Sequence, residues 1–213
     1  MGKIDIEANK AEFIKLLKST GREGVDELVE MLDEGKMHFF TAPASTRFHL
    51  DHDGGLVEHS LNVCKAALQL RKTVLEVRPD LEDQLKEDSV IIATLLHDIC
   101  KGDIYVPTLK KRKDETGIWK EVPGYDVDYS NFPMGHGEKS VMMLLLSGLD
   151  LHDDEMLAIR WHMGAFGLNM NSYEDQRCYD TARQEYPLCC IVQCADSMAA
   201  AILEVTAGDR EEL

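Results

Sequence analysis

At 213 residues with 44% apolar side chains, the chain is long enough to bury one good-sized hydrophobic core and too short for two ordinary domains. Its 39 acidic residues outnumber the 23 basic ones, and the resulting formal charge of −16 disfavours long nucleic acids as partners. We therefore predict a single domain over residues 1–213, and the sequence leaves its oligomeric state open.

The sequence shows no pattern typical of a targeting or membrane-spanning segment. The N-terminal residues have scattered charges without an apolar segment, and no apolar run approaches the roughly 20 residues of a membrane span. We expect a soluble, cytoplasmic protein that makes no contact with membranes. The cysteines form no CxxC pair and lie mostly in apolar helical patterns, which predicts buried, reduced thiols. They are Cys64, Cys100, Cys178, Cys189, Cys190 and Cys194.

The first 40 residues are predicted to form an N-terminal helical cap. Apolar residues recur at helical spacing over 9–19 and 24–34, and Gly35 is a typical helix stop. The next stretch, 41–55, is rich in turn-forming residues and predicts a loop. Three of its side chains are candidates for substrate contacts: Arg47, His49 and His52.

Two long helices are predicted at the centre of the domain. The first covers about 56–77, where apolar positions recur at helical spacing and Pro79 follows. The second begins with an N-cap at Asp88, continues to Lys101 and is apolar around almost its whole circumference. A helix of this composition is typically buried on all sides.

A β-hairpin insertion is predicted within residues 102–134. Its two strands, 104–113 and 118–128, are rich in β-branched and aromatic residues and flank a polar turn. The first strand carries the densest basic cluster of the chain, which could attract a phosphorylated substrate or could form a solvated hairpin tip. The cluster consists of Lys110, Lys111, Arg112 and Lys113.

Helices are predicted to resume after the hairpin and to complete an all-α core. Apolar residues recur at helical spacing over about 137–147, 153–163 and 187–206. The core therefore covers 41–206, and the fold class is all-α with one small hairpin.

Several ionisable residues occupy positions that the helical periodicity assigns to the core. Burying an unpaired carboxylate costs several kcal/mol, so such a position needs a cation, a hydrogen-bond network or a metal. Each residue alone could be a hydrogen-bonded structural residue, but together they form a nitrogen and oxygen ligand set that suits Fe, Mn, Co, Ni or Zn. The residues are His59, His97, Asp98, His162 and Asp196.

The order of these residues resembles the H…HD…D signature of HD-domain metal-dependent phosphohydrolases. The matching segments are GGLVEHSL at His59, LLHDICK at His97 and Asp98, and ADS at Asp196. The loop that begins at Thr41 is most similar to that of the HD domains of bacterial 3′-to-5′ exoribonucleases. The resemblance implies a bacterial protein with an HD-domain helical bundle and with His59, His97, Asp98 and Asp196 as metal ligands.

Two further histidines occupy places where dinuclear members of the family carry extra ligands, His136 in GHGEKS and His162 in RWHMG. If only one metal binds, these two histidines would contact the substrate phosphate instead. If two metals bind, Asp98 would bridge them. One metal would then be held by His59, His97 and Asp196, and the other by His136 and His162.

The sequence departs from the family's usual HDIGK at one position, where Cys100 replaces the glycine, while Lys101 is kept. Lys101 is four residues after His97, which predicts that both lie on one helix face and that Lys101 holds a phosphoryl oxygen. Catalytic roles are therefore expected for Asp98 and Lys101. The alternative is a lysine favoured only by the helix dipole.

The implied chemistry is hydrolysis of a phosphoester by metal-activated water, without a covalent nucleophile. We expect a phosphomonoesterase or phosphodiesterase that acts on a nucleotide or a similar small phosphorylated molecule, with one or two divalent transition metals per chain. Exonuclease action on single-stranded nucleic acid is the second hypothesis, although the net charge disfavours it. Iron-dependent oxidation and a non-catalytic nucleotide sensor are further alternatives.

Overall fold

The N-terminal segment folds into two helices, α1 (Ile6–Ser19) and α2 (Val25–Glu34), in the computed structural model, which describes residues 5–34, 37–114 and 116–205. The side chain of Asp5 caps α1 by accepting a hydrogen bond from the Ala8 amide at 3.0 Å. Both predicted helices are thus present. The predicted stop at Gly35 lies outside the described residues.

The two central helices are α3 (Gly55–Val77) and α4 (Glu87–Leu96). All residues of 89–96 are buried, as the apolar composition of α4 predicts. The N-cap position of α4 is Lys86, and Asp88 lies in the first turn, so the predicted cap is wrong by two residues. The Asp88 carboxylate instead accepts a hydrogen bond from Arg22 at 3.1 Å.

The predicted continuation of α4 to Lys101 is also wrong. The helix ends at Leu96, residues 97–100 form a tight turn, and a short helix α5 (Lys101–Ile104) follows. The amides of Ile99 and Lys101 donate to carbonyls three residues back, at 3.2 and 2.9 Å, instead of four residues back. Residues 97–102 are all buried like those of α4, so the burial pattern does not reveal the break.

The predicted hairpin is confirmed. Strands β1 (Tyr105–Lys113) and β2 (Trp119–Val127) pair antiparallel, with Tyr105 opposite Val127 and Lys113 opposite Trp119. Asp114 stabilises the connecting turn, since its Oδ1 accepts hydrogen bonds from the amides of Thr116 and Ile118 at 2.9 and 3.0 Å. Glu115, at the tip of the turn, lies outside the described residues.

After the hairpin come α6 (His136–Leu146), α7 (Asp153–Trp161), α8 (Tyr173–Glu185) and α9 (Pro187–Met198), and a π-helical turn (Ala199–Leu203) continues from α9. The sequence pattern does not predict α8, because this polar helix buries only Tyr179 and Ala182. The core is formed by α3, α4, α7 and α9, with α1 packed against α3 and α4. The predicted all-helical core with one small hairpin is therefore confirmed.

The six cysteines differ in how far they are buried. All six thiols are free, but Cys178 and Cys194 are exposed, so the prediction of buried cysteines is wrong for these two. They lie on helix positions that face away from the core.

Among the described residues, no single helix is long and apolar enough to cross a membrane. The consecutive helices Tyr173–Glu185 and Pro187–Leu203 reach the length and apolar composition of a membrane span only when taken together, and the chain bends by 102° between them.

A buried ion-pair cluster joins the N-terminal helices to the core. Arg22, in the loop between α1 and α2, donates through both terminal nitrogens to the two carboxylate oxygens of Glu155, each at 2.8 Å. It also donates to Asp88 at 3.1 Å and to the Asp150 carbonyl at 2.9 Å. Glu155 is fully buried, and Arg22 ties the beginnings of α4 and α7 to the cap.

Candidate metal centre

The six predicted ligands converge on one place in the core. Five of them lie at helix ends, where a side chain can point into the space between helices: His97 and Asp98 follow α4, His136 begins α6, His162 follows α7, and Asp196 is in the last turn of α9. His59 comes from the second turn of α3. The four residues of the H…HD…D signature therefore lie next to His136 and His162.

Asp98 is the centre of the cluster. Its Oδ2 atom lies 3.3 Å from His97 Nε2 and 3.7 Å from His59 Nε2. Its Oδ1 atom faces the other side, where it lies 3.3 Å from His162 Nε2 and in close contact with His136 Nε2. One carboxylate therefore lies between two pairs of imidazole nitrogens.

Asp196 adds a second carboxylate, which lies nearest to the His59 ring and also forms a possible ligand group with His97 and His162. Its Oδ1 atom lies 3.2 Å from His59 Nε2 and 3.9 Å from His97 Nε2. The ligand atoms within each of two groups all lie within 4.8 Å of one another, which is close enough to hold one ion per group. The groups, which share Asp98, are His59, His97 and Asp98, and Asp98, His136 and His162.

The outward nitrogens of the buried rings are already bound to the protein. His97 Nδ1 donates to the Thr94 carbonyl at 2.8 Å, and His162 Nδ1 donates to the Ile159 carbonyl at 2.7 Å. A carbonyl oxygen only accepts, so in a neutral ring the proton is on Nδ1 and the lone pair is on Nε2. The lone pairs therefore point into the cluster, as a metal requires.

Two features of the cluster fit a cation. His162 Nε2 is buried without a hydrogen-bond partner among the described residues, although Asp98 Oδ1 is only 3.3 Å away. His59 Nε2 lies 3.2 Å from Asp196 Oδ1, so the ring nitrogen and the carboxylate can share either a proton or a cation. Burial lowers the pKa of His59, but hydrogen bonds to Asp196 and Glu204 outweigh it and raise the pKa to about 9. A divalent metal bound here would replace the proton on His59 Nε2 and would give His162 Nε2 a partner.

Comparison with known proteins agrees with the geometry. The sequence pattern of the HD domain family matches residues 56–201, which is more than half of the chain. The chain belongs to the HD domain family. The family prediction made from His59, His97, Asp98 and Asp196 is therefore confirmed.

One characterised relative of this HD domain is a dihydroneopterin 2′,3′-cyclic phosphate phosphodiesterase from Methanocaldococcus jannaschii, 30% identical over 118 residues. The alignment covers 55% of this chain and 41% of the relative, so the chain spans less than half of the relative's length. No solved structure matches. Because this relative is archaeal, a bacterial source stays a prediction, as does a cytoplasmic location.

Lys101 reaches the centre of the HD domain by a different route from the one predicted. The turn at 97–100 interrupts the helix, so Lys101 does not share a helix face with His97. Its Nζ atom instead lies 2.5 Å from Asp98 Oδ2. Burial lowers the pKa of Lys101, but the nearby Asp98 carboxylate outweighs this and raises it, which keeps the ammonium charged.

The carboxylates of the centre are ionised. Burial by itself raises the pKa of Asp98, but the Lys101 ammonium and the neighbouring His97 and His136 rings hold it well below its ordinary value. Burial also raises the pKa of Asp196, and the neighbouring histidines lower it further than burial raises it. Both side chains are thus anions that can bind a metal without first losing a proton.

Only one of the three substrate candidates in the 41–55 loop reaches the centre. The His49 ring lies against the His59 ring, with centroids 5.2 Å apart. Arg47 is exposed, and His52 Nδ1 contacts the Asp53 carbonyl at 3.1 Å. Neither of these two makes a hydrogen bond to a predicted metal ligand within the described part of the chain.

Two residues of the basic cluster bind the 41–55 loop. Lys110 Nζ donates to the Thr46 carbonyl at 3.3 Å, and Arg112 pairs with Asp51 at 2.6 Å. Lys111 and Lys113 are exposed on the hairpin. The hairpin therefore supports the loop that carries His49, and the predicted attraction of substrate stays a prediction.

Sequence reasoning missed two contacts around the ligands. Glu204, at the end of the π-helical turn, accepts hydrogen bonds from His59 Nδ1, and Cys100 Sγ lies 3.5 Å from His136 Nδ1. A charged residue eight positions after Asp196, in an otherwise apolar helix end, is the signal that could have revealed Glu204. No periodicity indicates the contact of Cys100.

Proposed function

We propose that this HD domain is a metal-dependent phosphohydrolase and that its substrate is a small phosphodiester. The observation that supports this most directly is Asp98, whose two oxygens face two separate pairs of imidazole nitrogens. Membership of the HD domain family and the phosphodiesterase activity named for the archaeal relative support the same reaction class.

In the proposed ligand assignment, Asp98 would contribute to holding two divalent metals, because each of its oxygens faces a different histidine pair. Fe, Mn, Ni, Co and Zn all accept such nitrogen and oxygen donors. The first metal would be held by His59, His97, Asp98 and Asp196, and the second by Asp98, His136 and His162.

The protein's own groups would position the substrate and balance its charge. A bound divalent metal supplies an acidic water and offsets negative charge on phosphoryl oxygens. Lys101, charged and next to Asp98, would interact with a phosphoryl oxygen that approaches the centre. No side chain of the cluster needs to form a covalent bond to phosphorus.

The substrate is proposed to be a small molecule with a cyclic or simple phosphodiester. The relative's substrate, dihydroneopterin 2′,3′-cyclic phosphate, belongs to this class. The formal charge of −16 opposes binding of a long polyanion. Substrate contacts are proposed for the side chains near the 41–55 loop, namely Arg47, His49, His52, Lys110, Lys111 and Arg112.

Elemental analysis of the purified protein tests the ligand assignment. The wild type should contain about two metals per chain after loading, and both His59→Ala and His136→Ala should contain fewer. One metal that is lost only in the His59 variant would favour a mononuclear centre, with His136 in contact with substrate. No metal under any loading condition would contradict the proposal.

A substrate panel tests the reaction. The metal-loaded protein should hydrolyse dihydroneopterin 2′,3′-cyclic phosphate or a nucleoside 2′,3′-cyclic phosphate faster than the matching phosphomonoester. Release of nucleotides from single-stranded RNA instead would favour the exonuclease hypothesis. Oxygen uptake with Fe(II) would favour oxidation, and nucleotide binding without turnover would favour a sensor.

A further inference from the structure

The four histidines of the centre differ in what holds their outward nitrogens. His97 and His162 donate to backbone carbonyls at 2.8 and 2.7 Å. His59 faces a carboxylate, with its Nδ1 2.9 and 3.0 Å from the two oxygens of Glu204. His136 Nδ1 has a thiol as partner, Cys100 Sγ at 3.5 Å. The strongest and the weakest of these partners thus support opposite sides of the centre.

Glu204 is a built part of the core and not a surface carboxylate that happens to lie near. Its side chain is 1% exposed, and besides His59 it accepts a hydrogen bond from Asn62 Nδ2 at 3.1 Å. His49 Nε2 is 3.9 Å away. Both carboxylate oxygens of Glu204 are therefore held by side chains of α3.

A carboxylate behind an imidazole changes the ring as a ligand. It fixes the orientation of the ring and makes the opposite nitrogen a stronger donor to a metal. Glu204 would act in this way on His59 Nε2, which faces Asp98 and Asp196. The effect would add to the second carboxylate that Asp196 supplies on the same side.

Cys100 gives His136 much weaker support. A thiol is a poor hydrogen-bond partner, and Cys100 Sγ lies 3.5 Å from His136 Nδ1, farther than the Glu204 oxygens lie from His59 Nδ1. The His136 side chain is also 25% exposed, whereas that of His59 is 1% exposed. The side of the centre with His136 is therefore the less restrained one.

We propose that Glu204 is a positioning residue that makes the side of the centre with His59 bind its metal more tightly than the side with His136. The two metals then load in a fixed order, the His59 side first, and leave in the reverse order. This inference rests on the two-metal centre of the proposed function. It adds an unequal affinity and names the residue that causes it.

Stepwise titration of the metal-free protein with Co²⁺ tests the inference, because ligand-field absorption reports each binding step without any catalytic turnover. The wild type should show two steps of different affinity. Glu204→Gln should weaken the first step about 10- to 100-fold and leave the second almost unchanged. Glu204→Asp should recover part of the loss, because it restores an anion. The control is Glu76→Gln, at an exposed position of α3, which should bind Co²⁺ as the wild type does.

Cys100→Gly provides the contrasting variant. It should weaken only the second step, because it removes the partner of His136. Thermal melts of the metal-free variants identify any loss of folding, and Glu204→Asp keeps the test valid if Glu204→Gln unfolds. Two equal steps in the wild type, or an unchanged first step in both Glu204 variants, would overturn the inference.

Failure of the inference is distinguishable from failure of the proposed function. If the protein hydrolyses a phosphodiester but its first Co²⁺-binding step is the same in the wild type and the Glu204 variants, the inference is wrong and the proposed function is supported. If the first Co²⁺-binding step depends on Glu204 but the protein hydrolyses no phosphoester, the inference is supported and the proposed reaction is wrong.

Discussion

Two clusters of buried charge lie in the same helical core, and they differ in how completely their polar atoms are paired. Around Arg22, each terminal nitrogen donates to an oxygen of Glu155, and Asp88 accepts a further bond. Around Asp98, four imidazole nitrogens surround one carboxylate, and His162 Nε2 has no hydrogen-bond partner among the described residues. Both clusters bring helix ends together.

The difference separates a structural cluster from a binding site. A buried polar group that lacks a partner costs about 1–3 kcal/mol, so a cluster that serves only the fold should pair its groups, as the Arg22 cluster does. In the Asp98 cluster the Nε2 lone pairs of neutral His97 and His162 are directed inward, where the proposed metals would bind them. Perturbing the first cluster should therefore affect stability, and perturbing the second should affect metal binding.

The largest effect is expected from Asp98→Ala. Loss of the proposed bridging carboxylate should remove bound metal and reduce hydrolysis to background, because both metals would lose a shared ligand. Metal content by plasma mass spectrometry and the rate on a cyclic phosphodiester measure the two effects. A variant that keeps both its metal and its rate would refute the role of Asp98.

Arg22→Met should be the most destabilising change outside the centre. It leaves the buried Glu155 carboxylate without its partner, which typically costs about 3–5 kcal/mol of unfolding free energy. Urea denaturation of the metal-free protein measures this loss. The double variant with Glu155→Met should recover much of the stability, and equal stability of wild type and Arg22→Met would contradict the structural role.

Metal removal should destabilise the folded protein by a smaller amount. A ligand at 100 times its Kd adds about 2.7 kcal/mol to the stability of the state that binds it. Chelation should therefore lower the Tm of the wild type, and leave the Tm of Asp98→Ala unchanged because that variant binds no metal. Equal shifts in both proteins would show that the chelator acts elsewhere.

The smallest effect is expected from Lys111→Gln on the hairpin. Lys111 is exposed and is not one of the two basic residues that bind the 41–55 loop. If it attracts an anionic substrate, its loss should raise KM a few-fold at low salt and leave kcat unchanged, as expected for long-range attraction. Lys72→Gln, an exposed position on α3, is the control, and an unchanged KM would assign Lys111 to the solvated surface.

Much of the fold and the candidate ligand set could be predicted from the sequence because they depend on local patterns. Helical periodicity predicted α3, α6 and α7 closely, and β-branched and aromatic residues on both sides of a polar turn predicted the hairpin. A histidine such as His59 on an apolar stripe is conspicuous for the same reason, since burial of a polar group needs an explanation that the sequence itself raises. The polar helix α8 lacks such a pattern.

The tertiary structure alone decided which groups support the ligands and where the helix at His97 ends. The partners of His59 and His136 are Glu204, 145 residues away, and Cys100, 36 residues away, and no helical period links positions at such separations. The break after Leu96 depends on hydrogen bonds at the turn 97–100, because the residues stay buried through it and give no sign of a helix end. The sequence by itself determined which residue types could bind a metal. Helix packing decided which buried group supports each histidine, and therefore how unequally the two sides of the centre would bind their metals.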